Sequence, residues 1–196
     1  MSQMSTSAST ATEATIAAAT NSPLGYDPFS VRLHWITAGL VVLLWGLAKT
    51  IDWFAIGAPR VDARSAHIVL GAALAAVLVL RIVWRLQWGR RLPAANEGIA
   101  GAAARLVHIA LYALLLSVVG LGIANAWIRG DDLFNLFSIP SIAPGNKALR
   151  HSVGHLHSTF ANILLILAGL HALAGLAHHY VLKDGVLRRM SAKRSH

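Results

Sequence analysis

The stretch HLHSTFANILLILAGLHALAGLAHH, residues 155–179, is hydrocarbon for most of its length, yet it holds five histidines and no aspartate, glutamate, lysine or arginine. A segment of this length and apolarity spans a bilayer core, which takes about 20 residues. Ionisable groups at membrane depth are expensive and mark functional positions. Two of the five, His157 and His171, are 171 − 157 = 14 residues apart. That is close to four helical turns, or roughly 21 Å, so both imidazoles lie on nearly one helix face at two depths.

The rest of the chain fits a membrane setting. Of 196 residues, 56% are hydrophobic and only 13% charged, with a mean hydropathy of +0.57, beyond the range of an ordinary soluble domain. Cysteine is absent, which removes disulfides, iron–sulfur clusters, zinc–thiolate sites and covalent C-x-x-C-H haem attachment. Ten histidines remain as metal ligands. The net charge of +9 sits beside apolar segments rather than in one patch, so membrane topology explains it and nucleic-acid binding does not.

Residues 1–25, rich in Ser, Thr and Ala, lack the basic start and apolar core of a signal peptide and are read as a disordered cytoplasmic tail. Residues 26–196 form the second unit. In it Asp27 is placed to cap a helix and Pro28 to occupy its first turn. Apolar segments follow at about 33–48, 67–86, 106–128 and 157–182. Lys49 is expected to snorkel from the first, and Trp35, Trp53, Trp84, Trp88, Trp127 and Tyr180 to form an aromatic belt. Trp45 is read as core packing.

Short connections predict an all-α, integral membrane, up-down-up-down four-helix bundle. Basic residues concentrate on the side of the termini and second loop: Arg32, Arg85, Arg90, Arg91, Arg105, Lys183, Arg188, Arg189, Lys193 and Arg194. On the other side Lys49, Arg60, Arg64, Arg129, Lys147 and Arg150 are diluted by Asp52, Asp62, Asp131 and Asp132. Both termini are therefore expected in the cytoplasm, in a multi-pass membrane protein.

On this bundle His34, near the cytoplasmic start of the first helix, is level with His171. His67, near the outer start of the second, is level with His157. Facing imidazoles at two depths are what two bis-histidine haems require. A flat macrocycle also needs room at the i+4 position beside each ligand, and those residues are Ala38, Gly71, Ala161 and Gly175. His108 and His178 are followed at i+4 by Tyr112 and Leu182 instead. His108 is assigned an interhelical hydrogen bond or a propionate contact. His155 points away from His157, and His151, His179 and His196 are solvent or headgroup residues. His178, seven residues past His171, is placed to line a quinone pocket or meet a propionate.

The chain resembles the bacterial cytochrome b561 family in RLHW (32–35), AHIVLG (66–71), LVHIALYALL (106–115), LHSTFAN (156–162) and GLHALAGLAHHYVLKDGVLRRM (169–190). The resemblance covers about residues 26–196. It implies a dihaem membrane protein with His34 and His171 on one haem b and His67 and His157 on the other. It also implies electron transfer between an outer donor and ubiquinone. Small stand-alone members of this kind are superoxide oxidases; related members relay electrons as haem b subunits of hydrogenases and other dehydrogenases.

With both irons six-coordinate, an outer donor must react at a haem edge. Superoxide, an anion, would be drawn by Lys147, Arg150 and Arg129, against Asp131 and Asp132. Ubiquinone would sit near the inner haem, with His178 and Lys183 as polar contacts. No catalytic residue is assigned. A histidine-based transporter is the rival class, but it calls for carboxylates beside the histidines and broken helices. Every Asp and Glu lies outside the four apolar segments, and no proline interrupts them.

Overall fold

The computed structural model describes residues 25–90, 92–93 and 98–190. The expected tail, Arg91, Lys193, Arg194 and His196 lie outside them. Four long helices account for most of the described chain: α1 (Pro28–Thr50), α2 (Ala58–Gln87), α3 (Gly98–Arg129) and α4 (Lys147–Ala177). Each is long and apolar enough to cross a membrane.

Local chemistry sets the helix ends. Asp27 starts α1, its carboxylate accepting from the Ser30 amide at 2.8 Å and the Ser30 hydroxyl at 2.7 Å, with Pro28 in the first turn. Such caps satisfy backbone donors that the first turn leaves orphaned. The same carboxylate accepts from the Trp84 indole at 3.1 Å and the Arg90 amide at 3.2 Å, so it clasps the end of α2 to the start of α1. Burial works against its ionisation, but the Ser30, Arg90 and Trp84 donors prevail and hold its pKa at about 2.

α2 closes with the Trp88 and Gly89 amides both on the Trp84 carbonyl. A Cβ at Gly89 would lie 2.9 Å from Arg85 Cα, so this turn takes only glycine. The helices overrun the apolar segments by whole turns, and Asp62 accordingly falls within the first turns of α2.

α3 packs along α4, and α1 along α2, for most of their lengths. Contacts of α2 with α3 and of α1 with α4 are fewer. The bundle is thus two antiparallel hairpins, and where they meet, all four helices contribute to one buried cluster of Leu44, Leu74, Leu78, Leu115, Val118 and Leu164. The outward faces show Val42, Val79, Ile109, Ile166 and Leu173, a surface that water would not tolerate but lipid does. In lipid the hydrophobic effect does not drive helices together, so packing and interhelical hydrogen bonds must. One such bond joins α1 to α4, where Trp45 Nε1 donates to Asn162 Oδ1 at 2.9 Å. Trp45 therefore does more than fill the core, and Lys49 Nζ lies 5.4 Å from its ring centre.

The third loop is not purely irregular. Asp132–Leu133 (β1) and Phe137–Ser138 (β2) pair antiparallel around a tight turn with Phe134 and Asn135 at φ 53° and 55°, as a type I′ hairpin requires. Ser65 of α2, fully buried, accepts from the Phe134 amide at 2.8 Å and pins the hairpin to the bundle. Asp131, also buried, pairs with Arg129 at 3.0 Å and Arg64 at 3.7 Å. At the other end of the bundle, α4 passes through a π turn at His178–Leu182 and Lys183 in the left-handed region into a short turn, Leu187–Met190. This turn folds back on α1, with the Tyr26 amide on the Arg189 carbonyl at 3.0 Å.

Candidate haem sites

Two of the histidines of α4, His157 and His171, stand on either side of Leu164 of the buried leucine cluster; His157 meets the other hairpin, whereas the ring contact of His171 is with α3 of its own hairpin. At the outer level His157 faces His67 of α2, with ring centres 6.2 Å apart and planes at 85°. Two imidazoles sharing one metal are separated by two metal–nitrogen bonds of about 2 Å plus the half-widths of two rings, which comes to roughly 6 Å. His157 is already oriented for this. Its Nδ1 lies 3.0 Å from the Val118 carbonyl, and a carbonyl only accepts, so Nδ1 carries the proton and Nε2 is left with its lone pair. Gly122 makes the placement possible, since a Cβ there would come within 3.0 Å of His157 Cε1. His67 Nδ1 is buried and makes no hydrogen bond of good geometry, with the Leu44 backbone beside its ring.

The inner level is more crowded. His171 of α4 meets His108 of α3 edge to face, ring centres 5.1 Å apart. Among the described residues the ring contact of His34 of α1 is with Trp35, centres 5.5 Å apart, and not with His171 or His108. Arg81 of α2 donates from Nη2 to His34 Nδ1 at 3.0 Å, and its guanidinium lies 5.2 Å from the Tyr112 ring centre. His108, expected to make an interhelical hydrogen bond or a propionate contact, meets His171 here through its ring. Arg81 is a site residue that the histidine pattern does not reveal. It has one sequence signal: 81 − 67 = 14, the same interval that separates His157 from His171, which puts Arg81 on the His67 face at the inner level.

Of the four small residues, Gly71 and Gly175 leave open space, a Cβ at either meeting nothing within 4 Å. Ala38 is half-buried, and Ala161 packs against the leucine cluster. The open positions beside His67 and His171, the His67 nitrogen without a good hydrogen bond and the ring spacing of the outer pair fit a flat, metal-centred group between the hairpins.

The outlying histidines separate from these levels. His151 and His155 stack on each other with ring centres 6.3 Å apart. His178 is half-exposed, and its Nδ1 bonds Asp184 Oδ2. That hydrogen bond is the main cause holding the Asp184 carboxyl below the usual carboxylate range.

Comparison with known proteins decides what this arrangement belongs to. The family described as Prokaryotic cytochrome b561 matches residues 25–193. The chain is a member of the prokaryotic cytochrome b561 family. Membership makes it a membrane electron carrier of haem b type, the family implies two haems, and the transporter reading is set aside. Among relatives, it is 30% identical over 173 residues to the "Probable superoxide oxidase CybB" of Yersinia pestis, covering 86% of this chain and 97% of the relative. It is 29% identical over 185 residues to "Cytochrome b561 homolog 2" of Escherichia coli, covering 90% and 96%. It is 28% identical over 179 residues to "Cytochrome b562" of Cereibacter sphaeroides, covering 87% and 97%.

Proposed function

We propose that this b561-family chain passes electrons from superoxide, on the outer side of the bacterial inner membrane, to ubiquinone near the cytoplasmic side. His67 and His157 would hold the outer haem, and His34 and His171 the inner one. The observation that carries the reading is the pair of imidazole levels on one face of α4, the outer with its rings 6.2 Å apart. Haem b, when bound between two histidines, supplies a one-electron carrier whose iron has no open position for oxygen.

The chain's own residues supply the rest. The Val118 carbonyl holds His157 in the ligating tautomer. The cluster of Leu44, Leu74, Leu78, Leu115, Val118 and Leu164 keeps water out of the space between the two levels. Lys147 and Arg150, at the exposed start of α4, draw an anion toward the outer level by steering; Arg129 contributes less, because Asp131 neutralises it. His178, oriented by Asp184, stands between His171 and the inner surface as a proton donor to quinone, beside Lys183. The balance is two superoxide anions giving up one electron each to become dioxygen, while ubiquinone takes two electrons and two protons.

The relative named a probable superoxide oxidase supports the choice of donor. The test is reconstitution in liposomes containing ubiquinone. Superoxide supplied outside should reduce the quinone, and K147A/R150A should slow the reaction and flatten its salt dependence. His178→Ala should keep both haems but reduce quinone more slowly. Haems that stay oxidised under superoxide flux would overturn the donor.

A second reading, relay from a partner dehydrogenase or hydrogenase, is favoured by one observation. Trp53, Ile56 and Leu136 are 82%, 87% and 89% exposed on the outer loops, large apolar side chains of the kind a partner would cover. Copurification of a redox subunit that reduces the haems would select it.

A further inference from the structure

Arg81 lies about a turn and a half inside the cytoplasmic end of a membrane helix, where a charge is costly unless it has a partner. Among the described residues its guanidinium is in no ion pair: the carboxylates that pair do so with Arg60, Arg64, Arg129 and His178. Its contacts are the His34 imidazole and the Tyr112 ring. Neither neutralises a positive charge.

The bond to His34 also conflicts with the role proposed for that residue. Arginine only donates, so His34 Nδ1 must be the unprotonated nitrogen and Nε2 must carry the hydrogen. A neutral imidazole that ligates a metal through Nε2 must instead carry its hydrogen on Nδ1, ordinarily donated to an acceptor. One imidazole cannot serve both arrangements without losing a proton altogether. When the inner site is loaded, Arg81 must therefore let go of Nδ1, and a guanidinium released at this depth needs an anion.

We propose that Arg81 is the anion clamp of the inner site: on loading it leaves His34 and takes a carboxylate of the haem itself. Haem b brings two propionates, and the planar guanidinium fork matches a carboxylate bidentately. Tyr112 provides a surface on which the guanidinium stays stacked during the exchange. A small cleft of mixed lining, with Ser30, Arg81, Arg85 and Tyr112 beside Leu33 and Met190, lies next to it. At the outer level the same register on α2 is His67, and Arg64, one turn away, already has a carboxylate partner in Asp131. Arg81 is thus a positioning and electrostatic residue for the inner haem. Its swap makes His34 available as a ligand only when the carboxylate arrives.

This rests on the reading that the inner imidazoles hold a haem, so the experiment begins with a haem count on the purified full-length protein. Absence of an inner haem in the wild type overturns that reading, and this one with it. With both haems present, optical redox titration of R81Q and R81K follows. Loss of the positive charge favours the ferric state, so R81Q should lower the reduction equilibrium constant of the inner haem about tenfold, or roughly 59 mV for one electron. The outer haem should be unmoved, and R81K should stay near wild type because the charge remains.

The second readout replaces haem with its propionate dimethyl ester. The wild type should bind the ester at the inner site about tenfold more weakly than haem, while R81Q should bind the two alike. If R81Q loses the inner haem, R81K decides by retaining it together with the ester discrimination. An inner potential indifferent to residue 81, an ester discrimination that survives in R81Q, or an R81K protein without inner haem would each overturn the clamp while leaving the haem reading intact.

Discussion

The two histidine levels differ in how far the chain alone has prepared them. At the outer level two rings stand 6.2 Å apart, one already locked by a backbone carbonyl, with no charged side chain bonded to either. At the inner level Arg81 bonds His34 while His171 rests against the His108 ring, and the bonding of His34 has to change before it can ligate. The outer site is preorganised by packing, whereas the inner one is held by polar contacts that a ligand must replace. The difference suits an electron path with a passive outer station and an inner station whose potential is set by charge.

The largest effects should separate the two levels outright. His67→Ala or His157→Ala should each remove the outer haem and spare the inner, and His34→Ala or His171→Ala the reverse, read as half the wild-type haem per chain. Loss of both haems from every variant would erase the distinction between levels. Next, Gly122→Ala pushes a methyl group against the His157 ring. It should weaken the outer site alone, by about 1–3 kcal/mol as overpacking does, measured as haem retention during detergent denaturation.

Asp27→Ala acts at the inner end without touching either level. The loss of the cap should cost about 1 kcal/mol near neutral pH. Because the native carboxyl is depressed to about 2, its contribution is complete above the unfolded value of about 4 and fades as pH falls toward about 2. Thermal melts of wild type and variant should therefore converge over that window; a gap independent of pH would mean that the carboxylate charge is not what Asp27 contributes. The smallest effect belongs to His108→Ala, which should leave both haems in place and only perturb the inner spectrum. A missing haem would make His108, 5.1 Å from His171, a ligand in place of His34.

Much of this was legible in the residues because membrane helices obey few rules. Twenty apolar residues make a span, and 14 residues bring a side chain back to the same face. That arithmetic sets His157 and His171 at two levels; at the outer one His157 does face His67, while at the inner one the ring contact of His171 is with His108 and not with the expected His34. The helix ends were less legible, since the polar first turns of α2 and α4 carry no hydropathy signal and α3 opens on mostly small residues over 98–104. The β-hairpin of the third loop was hidden as well, because its turn places Phe134, which is not a turn residue, in the left-handed region. The contact between His108 and His171 depends on how α3 is rotated against α4, which periodicity does not fix. Arg81 lies inside the apolar segment 67–86, and what draws it into the site is its 14-residue interval from His67 together with its contacts to His34 and Tyr112.

The most direct test of the account is a reduced-minus-oxidised optical spectrum with haem stoichiometry on the purified wild-type chain. Two low-spin haems b per chain, with separable potentials, are predicted. A single haem, or a colourless protein despite ample haem supply, would contradict the two-level assignment on α4.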